Sequence, residues 1–290
     1  MNTAVLEQPA TLSVTPSGRG IGADIHGVDL SQPLNPDRVA AIKQAWYTHH
    51  VLRFRGQRIT DAQLVAFTRS LGQLDAAPKR SATAHFDTPE SDYVLTISNV
   101  VQDGKPIGEL GDSEAFWHQD MTYHPHPPVG AALYALELPP SGGNTEFCNL
   151  YRAYDTLPAA LRERIKDLGC VHDITRDSSG RLRKGHVPTT DPRQAQGPVH
   201  PLVMTHPRTG RKHLYLGRRP FAYIPGLSLE DSEALIDTLW AHCADPELKW
   251  TQVWELGDLV LWDNRCTMHR RDSFDPSTRR VMHRTQLTAD

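Results

Sequence analysis

Beyond Gly72 the chain is divided into short apolar runs separated by turns rich in proline and glycine, and this pattern limits the folds that it can adopt. Short runs rich in β-branched and aromatic residues, bounded by such turns, are typical of strands. The clearest runs are YVLTIS (93–98), GAALYALEL (130–138), HLYLG (213–217) and DLVLW (258–262). Their number and spacing favour an antiparallel sandwich or barrel.

Segments with helical end signals or apolar periodicity flank these runs. Thr60 and Gln63 can form a capping box that begins a helix over 60–71, before a stop at Gly72. Further helices are predicted from about residue 35, over 158–168 and over 228–242, with a strand at 51–56. The expected fold is therefore mostly β with flanking helices.

The length of 290 residues allows one sizeable core, and we predict a single domain over 1–290. The stretch from 175 to 199 is polar, basic and without periodicity. A loop of that length inside a compact domain is usually a lid or a binding segment. We expect it to be mobile and to cover the active site.

Charge and cysteine content exclude several classes of function. The 31 Lys+Arg residues nearly balance the 34 Asp+Glu residues, so no overall field attracts nucleic acid or an anionic membrane. The four cysteines form no CxxC pair, which argues against a disulfide framework or a structural zinc site. Neither a signal peptide nor an apolar run of about 18 residues is present. We expect a cytoplasmic protein that binds a small molecule.

Three residues have the pattern of a metal centre. His118 and Asp120, in WHQD, are two apart, so in an extended chain they project to the same side. His269 follows the apolar run that ends in Trp262, and it completes two histidines and one carboxylate. Such a facial triad leaves coordination positions open and is typical of non-haem Fe(II) oxygenases, whereas zinc usually prefers a more closed set.

Two arginines follow the last predicted metal ligand. Arg280 and Arg284, in STRRVMHRTQL, are four apart and share a face of an extended strand. A planar guanidinium suits bidentate recognition of a carboxylate. One arginine can hold a dicarboxylate co-substrate such as 2-oxoglutarate, and the other can hold the substrate.

Motifs along nearly the whole chain resemble the TauD/TfdA family of dioxygenases. They are GIGADIHGVDLSQPL, VLRFRGQRIT, WHQDMTYHPHPP, LPPSGGNTEFCNLYRAYDTLP, HPLVMTHPRTGRKHLYL, GDLVLWDNRCTMHR and RRVMHRTQL, in that order. The resemblance implies a double-stranded β-helix, or jelly roll. It also implies Fe(II) as cofactor, 2-oxoglutarate and O2 as co-substrates, succinate and CO2 as co-products, and a homo-oligomer.

The resemblance also assigns roles to individual residues. His118, Asp120 and His269 match the iron ligands. Thr145 and Arg280 match the pair that binds the distal carboxylate of 2-oxoglutarate, and Trp262 matches a tryptophan beside that co-substrate. Arg284 matches an arginine that binds the anionic group of the substrate.

One departure from the family concerns the substrate. Taurine-specific members carry a His-x-x-Tyr pair where this chain has Ala77 and Arg80, which argues against taurine. Lys79, Arg80 and Arg284 offer positive charge, and Asn99 lies on the strand before the metal segment. We predict a small, carboxylate-bearing substrate of the aryloxyalkanoate type, bound by these four residues.

Three alternatives remain at this point. An alkylsulfonate or alkylsulfate also carries an anionic group that an arginine can bind. A zinc hydrolase can use the same triad with a bound water, although it has no evident need for the carboxylate-binding pair of Thr145 and Arg280. A binding protein that has lost catalysis is the third alternative, and the complete ligand set argues against it.

Overall fold

The computed structural model describes residues 11–76, 92–111, 115–177, 180–217 and 221–288. The helices in these ranges are α1 (Pro36–His49), α2 (Asp61–Leu71), α3 (Leu150–Thr156), α4 (Ala159–Ile165) and α5 (Leu229–Cys243). The strands are β1 (Ser13–Pro16), β2 (Ala23–His26), β3 (Val51–Phe54), β4 (Leu95–Ser98), β5 (Val101–Gln102), β6 (Lys105–Pro106), β7 (Glu109–Leu110), β8 (Ala115–His118), β9 (Gly130–Glu137), β10 (Thr145–Asn149), β11 (Gly169–Val171), β12 (Val199–Pro201), β13 (Val203–Thr205), β14 (Lys212–Leu214), β15 (Lys249–Gln252), β16 (Leu259–Asp263), β17 (Thr267–Arg271) and β18 (Val281–Leu287).

Two sheets form the body of the protein. The larger has the order β1-β2-β3-β16-β9-β18-β4-β7, and the smaller has the order β15-β10-β17-β8. Neighbours are antiparallel except β2 with β3 and β4 with β7. The predicted mostly β fold with flanking helices is confirmed. Within the described ranges neither sheet closes on itself, so the double-stranded β-helix stays a prediction.

Three of the helices, α1, α2 and α5, begin where the sequence signals predict. The side chain of Thr60 accepts from the Gln63 backbone and the Gln63 side chain accepts from the Thr60 backbone, which confirms the capping box of α2. The Asn35 side chain caps α1 by accepting from the Arg38 N–H, and the Ser228 side chain caps α5 by accepting from the Asp231 N–H. Among the described residues, none of the helices combines the length and the apolar character that crossing a bilayer requires.

The segment predicted as one helix over 158–168 differs in the structure. It forms the shorter α4, and a further helix, α3, precedes it. The side chain of Asn149 accepts hydrogen bonds from the backbone N–H groups of Tyr151 and Arg152 and so caps α3. Pro158 separates the two helices because proline restricts the residue before it and favours a new first turn.

The two sheets pack face to face through an apolar cluster. Phe147 on β10 of the smaller sheet contacts Trp262 on β16 of the larger sheet, with ring centroids 5.8 Å apart. Val260, Met282 and Ala131 from the larger sheet are fully buried in the same cluster. The candidate site lies beside this cluster, between the sheets.

Candidate active site

His118, Asp120 and His269 converge between β8 and β17. His118 ends β8 and is the direct register partner of His269 on β17. The Nε2 atom of His118 lies 3.8 Å from Oδ1 of Asp120, and Nε2 of His269 lies 3.9 Å from Oδ2. One ligand atom from each residue lies within 4.8 Å of the other two, and all three residues are buried. The structure therefore brings the sequence-predicted ligand set together.

The ligand atoms of these side chains fit one divalent metal ion. Nδ1 of His118 lies 2.6 Å from the carbonyl oxygen of Phe116, which favours the tautomer with Nδ1–H as donor and a lone pair on Nε2, the atom 3.8 Å from Oδ1 of Asp120. Oδ2 of Asp120 is buried and has no hydrogen-bond partner among the described residues. Two imidazoles and one carboxylate, with no fourth protein ligand in the described group, match the open iron set better than closed zinc.

The protonation states of the cluster also suit a metal. Burial alone would raise the pKa of Asp120, but the charge of Arg284, with the two histidines, lowers that pKa to about 2. Nη1 of Arg284 donates to Oδ1 of Asp120 at 3.1 Å. Burial lowers the pKa of His269, although Asp120 opposes the shift. A carboxylate and a neutral imidazole are the forms that bind metal.

Asn264 and Gln119 hold the metal segment in place, and the sequence analysis did not identify either. The Asn264 carboxamide accepts from the Asp120 N–H at 2.7 Å and donates to the carbonyl oxygens of Asp120 and Pro128 at 3.0 and 2.9 Å. Gln119 donates to the carbonyl oxygens of Asn264 and Arg265. The sequence signal for Gln119 was its position between two ligands in WHQD, and Asn264 lies five residues before His269.

A pocket opens beside the three ligands and contains three arginines. The residues that line it are Ile97, His118, Leu133, Thr145, Phe147, Trp262, His269, Arg271, Arg280 and Arg284. The apolar members come from both sheets, whereas the polar groups are concentrated at the ligands and the arginines. A mostly apolar pocket with a few polar groups is typical of a small-molecule site.

Arg280 is a buried cation that is suited to bind an anion. It is only 1% exposed, and its Nη2 makes one long hydrogen bond, 3.4 Å, to the carbonyl oxygen of Gly143. Its Nε has no hydrogen-bond partner among the described residues. Burial, together with the charge of Arg271, lowers the pKa of Arg280 to about 9. Burying a guanidinium in this state is unfavourable unless a negative ligand accompanies it.

Thr145 is oriented for donation into the same pocket. The indole Nε1 of Trp254 donates to Oγ1 of Thr145 at 3.1 Å, so the hydroxyl hydrogen remains available for another acceptor. Trp262 lies against His269, with ring centroids 5.1 Å apart, and it forms part of the pocket wall. Both residues therefore lie in the pocket where the sequence predicted them.

Three other predicted substrate residues are not brought to the pocket by any described contact. Lys79 and Arg80 lie outside the described residues. The Asn99 carboxamide donates to the carbonyl oxygen of Thr278 at 2.7 Å and accepts from the Arg280 N–H at 3.0 Å. It therefore fixes the chain at the start of β18, and its contact with substrate stays a prediction.

A second group of possible metal ligands, His206, Asp263 and Cys266, lies behind the pocket. Arg265 donates to both carboxylate oxygens of Asp263 at 2.8 and 2.6 Å, and His206 lies 3.0 Å from Oδ2. Burial would raise the pKa of Asp263, but Arg265 and His206 keep it well below its usual range. The carboxylate is already saturated by these donors, so we interpret the group as a buried ion-pair network.

Comparisons with known proteins agree with this geometry. The family model described as "Taurine catabolism dioxygenase TauD, TfdA family" matches residues 13–286. Pentalenolactone F synthase from Streptomyces arenae is 33% identical, with 93% of each chain covered. The α-ketoglutarate-dependent 2,4-dichlorophenoxyacetate dioxygenase from Cupriavidus pinatubonensis is 32% identical, covering 92% of this chain and 94% of that protein. The crystal structure of AAD-2 in complex with Mn(II) and N-oxalylglycine has a TM-score of 0.80 at 32% identity, covering 96% of this chain and 97% of that one.

The chain belongs to the TauD/TfdA family. It is a 2-oxoglutarate-dependent oxygenase that uses Fe(II) and O2. The zinc hydrolase and the non-catalytic binding protein considered from the sequence are therefore set aside.

Proposed function

We propose that this enzyme hydroxylates a small anionic substrate, with a carboxylate-bearing, aryloxyalkanoate-like compound as the preferred class. The observation that carries the proposal is the presence of Arg280 and Arg284 in the pocket that His118 and His269 line. These two histidines form the possible metal-binding group together with Asp120. Two cations beside one metal cluster suit two anions, the co-substrate and the substrate.

The co-substrate is assigned to the end of the pocket near Thr145 and Arg280. Arg280 neutralises the distal carboxylate of 2-oxoglutarate, and the Thr145 hydroxyl donates to it. His118, Asp120 and His269 would hold the iron, since one ligand atom of each lies within 4.8 Å of the other two. When bound, Fe(II) supplies the O2 activation that couples decarboxylation of 2-oxoglutarate to hydroxylation of the substrate. Trp262 and Phe147 exclude water from this region because both are buried.

Arg284 is assigned to the substrate anion. It lies four residues after Arg280, and its guanidinium reaches Asp120, so an anion bound there lies next to the metal cluster. Ile97 and Leu133 line the same pocket and suit an apolar or aromatic body. Hydroxylation of a carbon that bears an ether oxygen gives a hemiacetal, which collapses to a carbonyl compound and a free alcohol or phenol.

The proposal also includes several predictions from the sequence that no direct observation tests. We assign Lys79, Arg80 and Asn99 as further substrate contacts and residues 175–199 as a lid. Gly180 in this segment lies against Phe116, and the guanidinium of Arg183 lies 4.0 Å from the ring centroid of Tyr123, so the segment borders the metal-binding stretch. We also propose a single domain with a double-stranded β-helix core that assembles as a homo-oligomer.

The test is a substrate screen with matched arginine variants. The Fe(II) enzyme is incubated with 2-oxoglutarate and a panel of aryloxyacetates, aryloxypropionates, alkylsulfates and taurine, and succinate is measured. Arg284→Ala should lose substrate-stimulated succinate formation while it retains the slow uncoupled turnover. Arg279→Ala is the control, since Arg279 is half-exposed and pairs with Glu137 on the surface.

The outcomes separate the alternatives. Stimulation by alkylsulfates or taurine, with none by aryloxyalkanoates, would replace the preferred substrate class with the sulfur-containing one. Equal loss of stimulated and uncoupled turnover in Arg284→Ala would remove the proposed role of Arg284.

A further inference from the structure

The pocket contains a third arginine, Arg271, to which the proposed function assigns no role. It lies on β17, two residues after His269, so the two side chains project to the same face of the strand. Arg271 is only 7% exposed. A buried guanidinium on the pocket wall, next to a metal ligand, has a role that needs explanation.

The strand register places Arg271 at one particular end of the pocket. On the neighbouring strand β10, Phe147 is opposite His269 and Thr145 is opposite Arg271. Directly opposed residues in an antiparallel pair have side chains within about 5 Å on the same face. Moving from His269 to Arg271 therefore leads from the metal cluster toward Thr145, a step of roughly 7 Å along the strand.

Contacts with Gly111 and Phe274 are among those that hold the Arg271 guanidinium in position. Nη1 donates to the carbonyl oxygen of Gly111 at 3.0 Å, and the guanidinium carbon lies 5.4 Å from the ring centroid of Phe274. Arg280 lines the same pocket, and the charge of Arg271 is close enough to lower its pKa. The repulsion between two buried guanidinium groups is relieved when an anion lies between them.

We propose that Arg271 is a second cationic group for the distal carboxylate of 2-oxoglutarate, beside Arg280 and opposite Thr145. This inference rests on the proposed placement of 2-oxoglutarate. Its consequence is selectivity, because two cations at one end of the pocket favour a dianionic 2-oxo acid over a monoanionic 2-oxo acid of the same chain length.

The experiment measures binding without turnover. The dissociation constants of 2-oxoglutarate and of 2-oxopentanoate, which has the same five-carbon chain without the distal carboxylate, are measured by calorimetry on the Mn(II)-loaded protein. Arg271→Gln should weaken 2-oxoglutarate binding by about tenfold, the effect of losing one charge-assisted hydrogen bond. It should change 2-oxopentanoate binding by less than about twofold. Arg271→Lys keeps the charge but loses the planar guanidinium, so it should weaken 2-oxoglutarate binding less than Arg271→Gln does.

Arg270→Gln is the matched control. Arg270 is adjacent in the chain, projects to the other face of β17 and pairs with Glu146, so its loss removes the same charge outside the pocket. It should leave the ratio of the two dissociation constants unchanged. Because this ratio compares two ligands on one protein, a general loss of folded protein does not imitate the expected result.

The outcomes also distinguish this inference from the proposed function. If Arg280→Gln weakens 2-oxoglutarate binding but Arg271→Gln does not, only the role of Arg271 is overturned. An equal loss for both 2-oxo acids in Arg271→Gln overturns it as well. If Arg280→Gln has no effect on 2-oxoglutarate, the placement of the co-substrate itself is wrong.

Discussion

Replacing Asn264 by alanine tests how the chain holds its metal segment. The carboxamide makes three buried hydrogen bonds with backbone groups of Asp120 and Pro128. Each such bond stabilises the folded state by about 1 kcal/mol. We therefore expect Asn264→Ala to lower the free energy of unfolding of the metal-bound protein by about 3 kcal/mol.

The expected loss of free energy can be measured in two quantities, the stability of the metal-free protein and the affinity for the metal. If the segment keeps its position without metal, the free energy of unfolding of the metal-free protein falls. If the segment loosens instead, the dissociation constant of the metal rises, by tenfold for each 1.4 kcal/mol or so. Loosening lets water reach the abandoned backbone groups, so we expect most of the loss in metal affinity, about 10- to 100-fold.

The assay combines urea unfolding of the metal-free protein with competition between the protein and a chelator for Mn(II). Asn35→Ala is the control, because Asn35 caps α1 through one exposed hydrogen bond to the Arg38 N–H. It should cost about 1 kcal/mol of stability and leave metal affinity unchanged. If Asn264→Ala keeps both its metal affinity and its free energy of unfolding, the carboxamide does not hold Asp120 and the reasoning fails.

Three further predictions concern Thr145, Asp263 and two buried histidines. Thr145→Val, which keeps the shape and removes the hydroxyl, should weaken 2-oxoglutarate binding about fivefold in calorimetry, and unchanged affinity would exclude the proposed hydrogen bond. Asp263→Asn removes the charge partner of Arg265, whose side chain is 18% exposed, and should cost about 3 kcal/mol in urea unfolding; a cost below 1 kcal/mol or so would contradict the ion-pair network. Burial lowers the pKa of His50 and of His213 from 6.5 to about 4. Between these pH values the unfolded chain binds more protons than the folded one, so each histidine should reduce stability by up to roughly 1.4 kcal/mol per unit as the pH falls. Urea midpoints at pH 7, 6 and 5 check this, and His50→Gln and His213→Gln should each flatten the dependence.

The metal ligands and Arg280 could be predicted from the sequence because their spacing has a direct chemical meaning, whereas Thr145 was assigned through the family resemblance. His118 and Asp120 are two residues apart in the chain, and strand alternation alone predicts that they share a side. His269 and Arg280 were found through their order after an apolar run. The structure then supplied what spacing does not contain, the register of β8 with β17 that makes His118 and His269 direct partners.

Other features depend on contacts between distant segments and left little trace in the sequence. Asn264 contacts Asp120 across 144 positions, and its amide is indistinguishable in sequence from a turn residue. Arg271 has the appearance of a second surface arginine in HRR until the pairing with Thr145 is known. Helix α3 was missed because its cap, Asn149, also ends a strand.

The site is divided between the two sheets, and this division has a geometric consequence. The metal ligands and Thr145 belong to the smaller sheet or its edge, whereas Arg284 lies on β18 of the larger sheet and Arg280 immediately precedes that strand. The apolar layer containing Phe147, Trp262 and Met282 therefore influences the separation between the metal cluster and the Arg280 guanidinium. The thickness of the hydrophobic core therefore limits the length of the co-substrate. A change in core volume far from any ligand atom should alter which chain length of 2-oxo acid reaches from the metal cluster to Arg280.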